Sequence, residues 1–334
     1  MRLAFGTAIL TATSIVAGAI GIPRAGLPDQ APSRSFTFRY VVHLPSLPSG
    51  SREGRLWVPL PYEDAYQTIS ALEIHAPVRY QIRREPVHHN RYAYFTVNAE
   101  ETRNPVDIEL AFHVTRLEHR VRLDEASNLA SGPADWTGFL QPDRLVPVDG
   151  QIAELSRQQT AGATTAVEKA RKIYDYVVAT LHYDHQGTGW GRGDAIWACT
   201  AKHGNCTDFH SLFIAMARAA GVPARFEIGF PLPVSAHEGV IPSYHCWAEF
   251  YADAVGWIPI DASEAWKNPA KHDYFFGATD ANRVMFSLGR DIRLDPAQAG
   301  DPLNYFVYPY AEVDGKPFAN LKSDLSFRDD DRSD

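Results

Sequence analysis

Three side chains scattered along the 334-residue chain could together perform nucleophilic chemistry: Cys206, His245 and Asp261. A thiol attacks a carbonyl carbon only as the thiolate. A helix N-terminus, with its unpaired N–H groups and positive dipole end, lowers a thiol pKa from ~8.5 toward the working range. Cys206 sits in "GNCTDF", where the pattern predicts the first turn of a helix, with Asn205 as N-cap and Gly204 permitting close approach without a Cβ. Such a nucleophile also needs an imidazole to share its proton and an acceptor to fix the imidazole's tautomer. His245 lies 39 residues after Cys206, and Asp261 lies 16 after His245. If 244–251 and 257–261 pair as a hairpin about a turn centred on residue 253, His245 and Asp261 face each other across the ladder with Cβ atoms ~5 Å apart.

The elements that must position these groups are legible as periodicities. Phe209, Leu212, Phe213, Met216 and Ala220 recur at helical steps, and Gly221 and Pro223 end the run. A second helix is expected over 163–181, with Val167, Ala170, Ile173, Tyr174, Val177 and Leu181 on one stripe. From 224 onward the period switches to two, in "ARFEIGF", "YHCWAEFY" and "GWIPIDA", which predicts an antiparallel sheet. The same alternation fills 32–121, broken by Pro, Gly, Ser and Asn clusters, and predicts a sandwich of short strands. The fold class is therefore α+β. An all-β, sandwich-like domain is expected over 32–125, an interdomain linker over 126–150, the site-bearing domain with a C-terminal extension over 151–320, and a disordered acidic tail over 321–334. Residues 1–25 read as a signal peptide, with a weakly apolar run over 3–22 and Ala17-Gly18-Ala19 as a cleavage site. The expected setting is periplasmic or secreted, with no stable membrane insertion after cleavage.

"GNCTDFHSLFIAMARAAGVPARFEIGF", then "YHCWAEFY", then "GWIPIDAS" resembles the transglutaminase-like superfamily of papain-like cysteine enzymes, over about 163–263. The helix start G-x-C-x-[DE], the turn G-V-P-A-R and the strands H-x-W-x-E and G-W-x-P-x-D stand in the family's order. The resemblance implies Cys206 as nucleophile, His245 as base and acid, and Asp261 as orienter, on a helix packed against an antiparallel sheet. It also implies acyl transfer from amides through a thioester and no cofactor. Animal members use an upstream tryptophan as an oxyanion donor at a spacing that finds none here. Trp190, ahead of Trp197 and Gln186, is the substitute considered, alongside the Cys206 N–H. A peptidase or amidase acting on peptide or protein amides is the leading expectation. Cross-linking transamidation, or a non-catalytic scaffold, is the alternative.

The remaining composition bounds the reading. A net charge of −8 and no long Lys/Arg run argue against a nucleic-acid partner. Three cysteines cannot build a disulfide scaffold, and an odd count leaves at least one thiol unpaired within the chain. Cys199 and Cys246 could bridge or could both stay reduced. Cys199, His203, Cys206 and His210 also spell C-x3-H-x2-C-x3-H, a rival structural zinc set. Asp208 is expected to cap, "RGD" at 192–194 to form a glycine turn, and Arg283, Arg290 and Asp291 to make surface ion pairs. Oligomeric state is not readable from the sequence.

Overall fold

A computed structural model describes residues 31–123, 136–253 and 255–330. The signal peptide expected over 1–25 and part of the expected linker fall outside the described residues.

Five helices carry the site-bearing half: α1 (Gly150–Gln159), α2 (Ala166–Thr180), α3 (Ala195–Ala201), α4 (Cys206–Ala219) and α5 (Ala262–Lys267). The start of α4 is locked by a capping box: Asn205 Oδ1 accepts from the Thr207 N–H at 2.9 Å, and the Asp208 carboxylate accepts from the Asn205 N–H at 3.0 Å. Its end is marked by Gly221 in the left-handed region, with the Val222 N–H returning to the Ala217 carbonyl. The sequence stripe understates how buried α4 is, because every residue from Cys206 to Arg218 is out of solvent. Helices α1, α2 and α3 pack around it on one side, and a sheet packs on the other.

That sheet is antiparallel, in the order Gly256–Ile260, His245–Ala252, Ala224–Pro231, Arg283–Leu288. The alternating segments of the first hundred residues form strands as expected, but they do not close a sandwich alone. One five-stranded sheet runs Glu238–Val240, Lys322–Asp329, Ser33–Leu44, Val106–Leu117, Gln67–His75. The other runs Lys316–Pro317, Tyr310–Val313, Gly54–Pro59, Arg91–Val97, Tyr80–Arg84.

Two corrections follow. The tail expected to be disordered from 321 instead forms Lys322–Asp329, paired antiparallel with Ser33–Leu44, and Leu325 and Phe327 are buried. Its alternation "DLSFR" puts apolar residues on one face, which the acidic residues beyond it obscured. The described part of the linker expected over 126–150 is packed, not a spacer: the Arg218 guanidinium donates to the Gln141 carbonyl at 2.6 Å and to Asp143 at 2.8 Å, and Val146 is buried. Residues from Pro32 on make one compact unit. The two halves meet through an aromatic cluster in which Phe286 lies 5.7 Å from Phe38, 6.0 Å from Phe112 and 5.1 Å from Phe230. Burying a phenylalanine this completely contributes about 2–3 kcal/mol, so the seam between the halves is core.

Candidate active site

Gly204 approaches α4 with φ +149°, and its carbonyl accepts from the Asp184 N–H at 3.1 Å. A Cβ there would overlap the Asp208 carboxylate, which is the spatial reason for the glycine in "GNC". Asp208 does more than cap, since it also accepts from the Gly191 N–H at 2.6 Å and the Gly193 N–H at 3.0 Å. The glycine-rich loop is thereby fastened over the helix start. Arg290 clamps the same loop, donating to the Gly193 carbonyl at 2.8 Å, the Arg192 carbonyl at 3.1 Å and the Ser211 hydroxyl. The expectation of surface ion pairs for Arg283 and Arg290 is corrected: both are buried, and Asp291 pairs instead with Arg144. The "RGD" stretch is a turn, and its aspartate caps α3 by accepting from the Ile196 and Trp197 N–H groups.

The structure brings Cys206, His245 and Asp261 together. Cys206 is the first residue of α4, so its N–H has no intrahelical acceptor. His245 opens its strand opposite Gly229, where a side chain would collide with the Val284 carbonyl. Asp261 leaves the neighbouring strand as the N-cap of α5. His245 Nε2 lies 2.7 Å from Asp261 Oδ2, and His245 and Cys206 are close enough to shift each other's titration. With Nε2 given to the carboxylate, Nδ1 is the nitrogen left for the sulfur.

The predicted register is corrected. The ladder pairs Ala252 with Gly256 and Ala248 with Ile260, so its centre falls at residue 254 and not 253. Continued by one step, this register sets Asp261 opposite Trp247, and its carboxylate reaches His245 diagonally along one face. Gly256, at φ +96°, opens the returning strand opposite Ala252.

Electrostatics favour an ion pair. Burial pushes the Cys206 thiol up, but contacts with Cys246 and His245 outweigh it and hold the thiol well below its ordinary value. Burial works against the His245 cation too, yet Asp261 and Cys206 raise it to about 10. Asp261, itself buried, is kept far below the usual carboxylate range by His245, Arg283 and His210. Its Oδ2 accepts from Arg283 at 3.1 Å, while Oδ1 accepts from the Ser263 hydroxyl at 3.1 Å and the Glu264 N–H at 3.0 Å.

Several neighbours complete the site. His210 Nδ1 donates to the Cys206 carbonyl at 2.7 Å, and Nε2 accepts from the Ala262 N–H at 3.1 Å. Those two partners fix a neutral tautomer, and burial lowers its pKa. The i to i+4 spacing from Cys206 was the signal for it. The Tyr244 hydroxyl lies 3.0 Å from Asn205 Nδ2 and 3.1 Å from Thr207 Oγ1, flanking Cys206 on both chain sides. Arg283 stacks over Trp247 at 4.8 Å. Trp190 sits in the fastened loop, stacked on His185 with ring centroids 4.5 Å apart.

The zinc alternative is contradicted, because no cluster able to hold a metal exists among the described residues. His203 is committed to Asp184 at 2.8 Å, and His210 to backbone groups. All three cysteines are free, so the Cys199–Cys246 bridge is absent; Cys246 Sγ lies instead 3.8 Å from Thr207 Oγ1 and 3.6 Å from His210 Nδ1.

Residues 153–262, which carry the buried thiol at a helix N-terminus, the imidazole and the carboxylate, match the model of the transglutaminase-like superfamily. An uncharacterised protein of Haemophilus influenzae is 29% identical over 312 residues, spanning 81% of this chain and 84% of its own length. The uncharacterised YebA of Bacillus subtilis is 29% identical over 135 residues, 36% of this chain and 18% of that protein. A solved structure from Cytophaga hutchinsonii, proposed to be a cysteine protease, covers 90% of this chain and 92% of its own at a TM-score of 0.61 and 16% identity. The fold therefore extends beyond the core to nearly the whole chain.

Proposed function

We propose that the protein is an exported thiol enzyme that cleaves amide bonds of peptide or protein substrates through a thioester, without a cofactor. Cys206 is the nucleophile, His245 the base and acid, and Asp261 the orienter. The observation that carries this reading is the His245–Asp261 hydrogen bond of 2.7 Å, beside a Cys206 thiol held well below its ordinary value.

The thiolate attacks the amide carbonyl, and the oxygen takes up the negative charge. The unpartnered Cys206 N–H, at the positive end of α4, is one donor for that oxygen, and the Trp190 indole is the side-chain candidate for the second. The His245 imidazolium protonates the leaving amine, and the thioester remains. His245, now neutral, takes a proton from water as it attacks, and the acid is released. Asp261 holds Nε2–H throughout, so Nδ1 stays aimed at the sulfur. The leader read at residues 1–25 supports the periplasmic or secreted setting.

The test is digestion of a peptide library by wild type and by Cys206→Ala, with products identified by mass spectrometry. Cleavage by wild type alone supports hydrolysis. Adding a primary amine separates hydrolysis from acyl transfer, and identical product sets from the two proteins refute the assignment of Cys206.

A further inference from the structure

A hollow lined by residues 308–323 lies outside the core stretch. It measures about 380 Å³ and is lined by Tyr308, Pro309, Tyr310, Pro317, Phe318 and Leu321, among others. None of its lining residues carries a formal charge at neutral pH. Tyr308 joins it to the reacting sulfur: its ring lies 6.1 Å from that of Tyr244, whose hydroxyl is 3.1 Å from Thr207 Oγ1. Tyr305, 5.6 Å from Tyr244, continues the same wall. Tyr308 leaves 37% of its surface to solvent, although Tyr40 and Phe286 nearby are fully buried. The larger hollow, of about 610 Å³, is lined by Arg120, Arg171 and Lys172 and touches none of the three reacting groups.

We infer that the hollow at Tyr308 is a specificity subsite for an apolar side chain of an extended peptide substrate cleaved at Cys206. The chemistry follows from the lining. Aromatic and proline faces gain by covering an apolar group, whereas a carboxylate or ammonium entering the hollow loses water and finds no opposite charge. The hydroxyl of Tyr244 is turned toward Asn205 and Thr207, so the wall offers a substrate ring faces, not a charge. This inference rests on Cys206 as the reacting group.

The test uses pools of hexapeptide amides fixed as Phe, Leu or Asp at one position, captured on the full-length Cys206→Ala protein so that turnover is not needed. The Phe and Leu pools should be retained about tenfold over the Asp pools at one position. Ala319→Trp, placed on the exposed rim of the hollow, should abolish the preference by filling it, while Ala319→Ser keeps it. Equal retention of all pools, or a preference that survives Ala319→Trp, overturns the subsite. Selective iodoacetamide labelling of Cys206 in wild type is measured in parallel. A Phe preference without that labelling leaves the subsite standing and overturns the thiol reading beneath it.

Discussion

Replacing His245 with alanine should take the thiolate away from Cys206. In the wild-type protein the thiol is held well below its ordinary value while the imidazole is raised to about 10, so at neutral pH the sulfur is ionised beside an imidazolium. Without the ring, only Cys246 and His210 are left to oppose burial, and with the free value of ~8.5 as reference roughly 3% is thiolate at pH 7. Labelling by iodoacetamide should then fall about 30-fold, equivalent to ~2 kcal/mol. Burial of Cys206 makes this a lower bound, since desolvation pushes an unassisted thiol higher. The assay is the rate of carbamidomethylation at Cys206, read by peptide mass spectrometry between pH 6 and 9. The wild-type rate should be nearly flat across that window, and the variant's should climb about tenfold per pH unit up to ~8.5. Cys246, whose thiol is pushed up by burial and by Cys206, should stay slow in both. A wild-type rate that climbs with pH as an ordinary thiol does, or equal rates at pH 7, would refute the ion pair.

Asp261→Asn should lower kcat by about 10²–10⁴ in steady-state peptide assays with little change in KM, because the amide cannot hold the Nε2–H tautomer; an unchanged kcat removes Asp261 from the mechanism. Gly204→Ala should cost about 1–3 kcal/mol in denaturant unfolding, since its Cβ would displace the Asp208 carboxylate and with it the helix cap and the loop above; unaltered stability would contradict that packing. Glu227 is buried, near Glu249, and pushed up to about 8, above its ordinary 4.5. The folded protein therefore keeps a proton that the unfolded chain loses between about pH 4.5 and 8, and stability falls as pH rises through that window. Glu227→Gln should accordingly raise Tm relative to wild type more at pH 8 than at pH 5, and a difference independent of pH would show that Glu227 ionises freely.

What the sequence revealed was local. The start of α4 could be read because a cap, a glycine and a periodic apolar run fall within a few residues, and the order of Cys206, His245 and Asp261 followed from segments with unmistakable periods. The hairpin register was not legible, because alternation alone does not fix how many residues the turn between Ala252 and Gly256 holds. Arg283 and Arg290 were misplaced on the surface because an arginine's burial depends on partners distant in the chain. Asp261 lies 22 residues from Arg283, and the Gly193 carbonyl 97 from Arg290. The strand Lys322–Asp329 was missed for the same reason: acidic residues obscured its alternation, and its partner lies nearly three hundred residues earlier.

That partnership has a kinetic consequence. Ser33–Leu44 lies between Val106–Leu117 and Lys322–Asp329, so one of its two edges stays open until residues 322–329 have been synthesised. A nascent chain cannot finish this sheet while its last strand is still inside the ribosome, and an apolar edge waiting that long invites pairing with other molecules. Closure of this sheet should therefore wait for residue 329 to emerge, and be quickest when the two strands are delivered together.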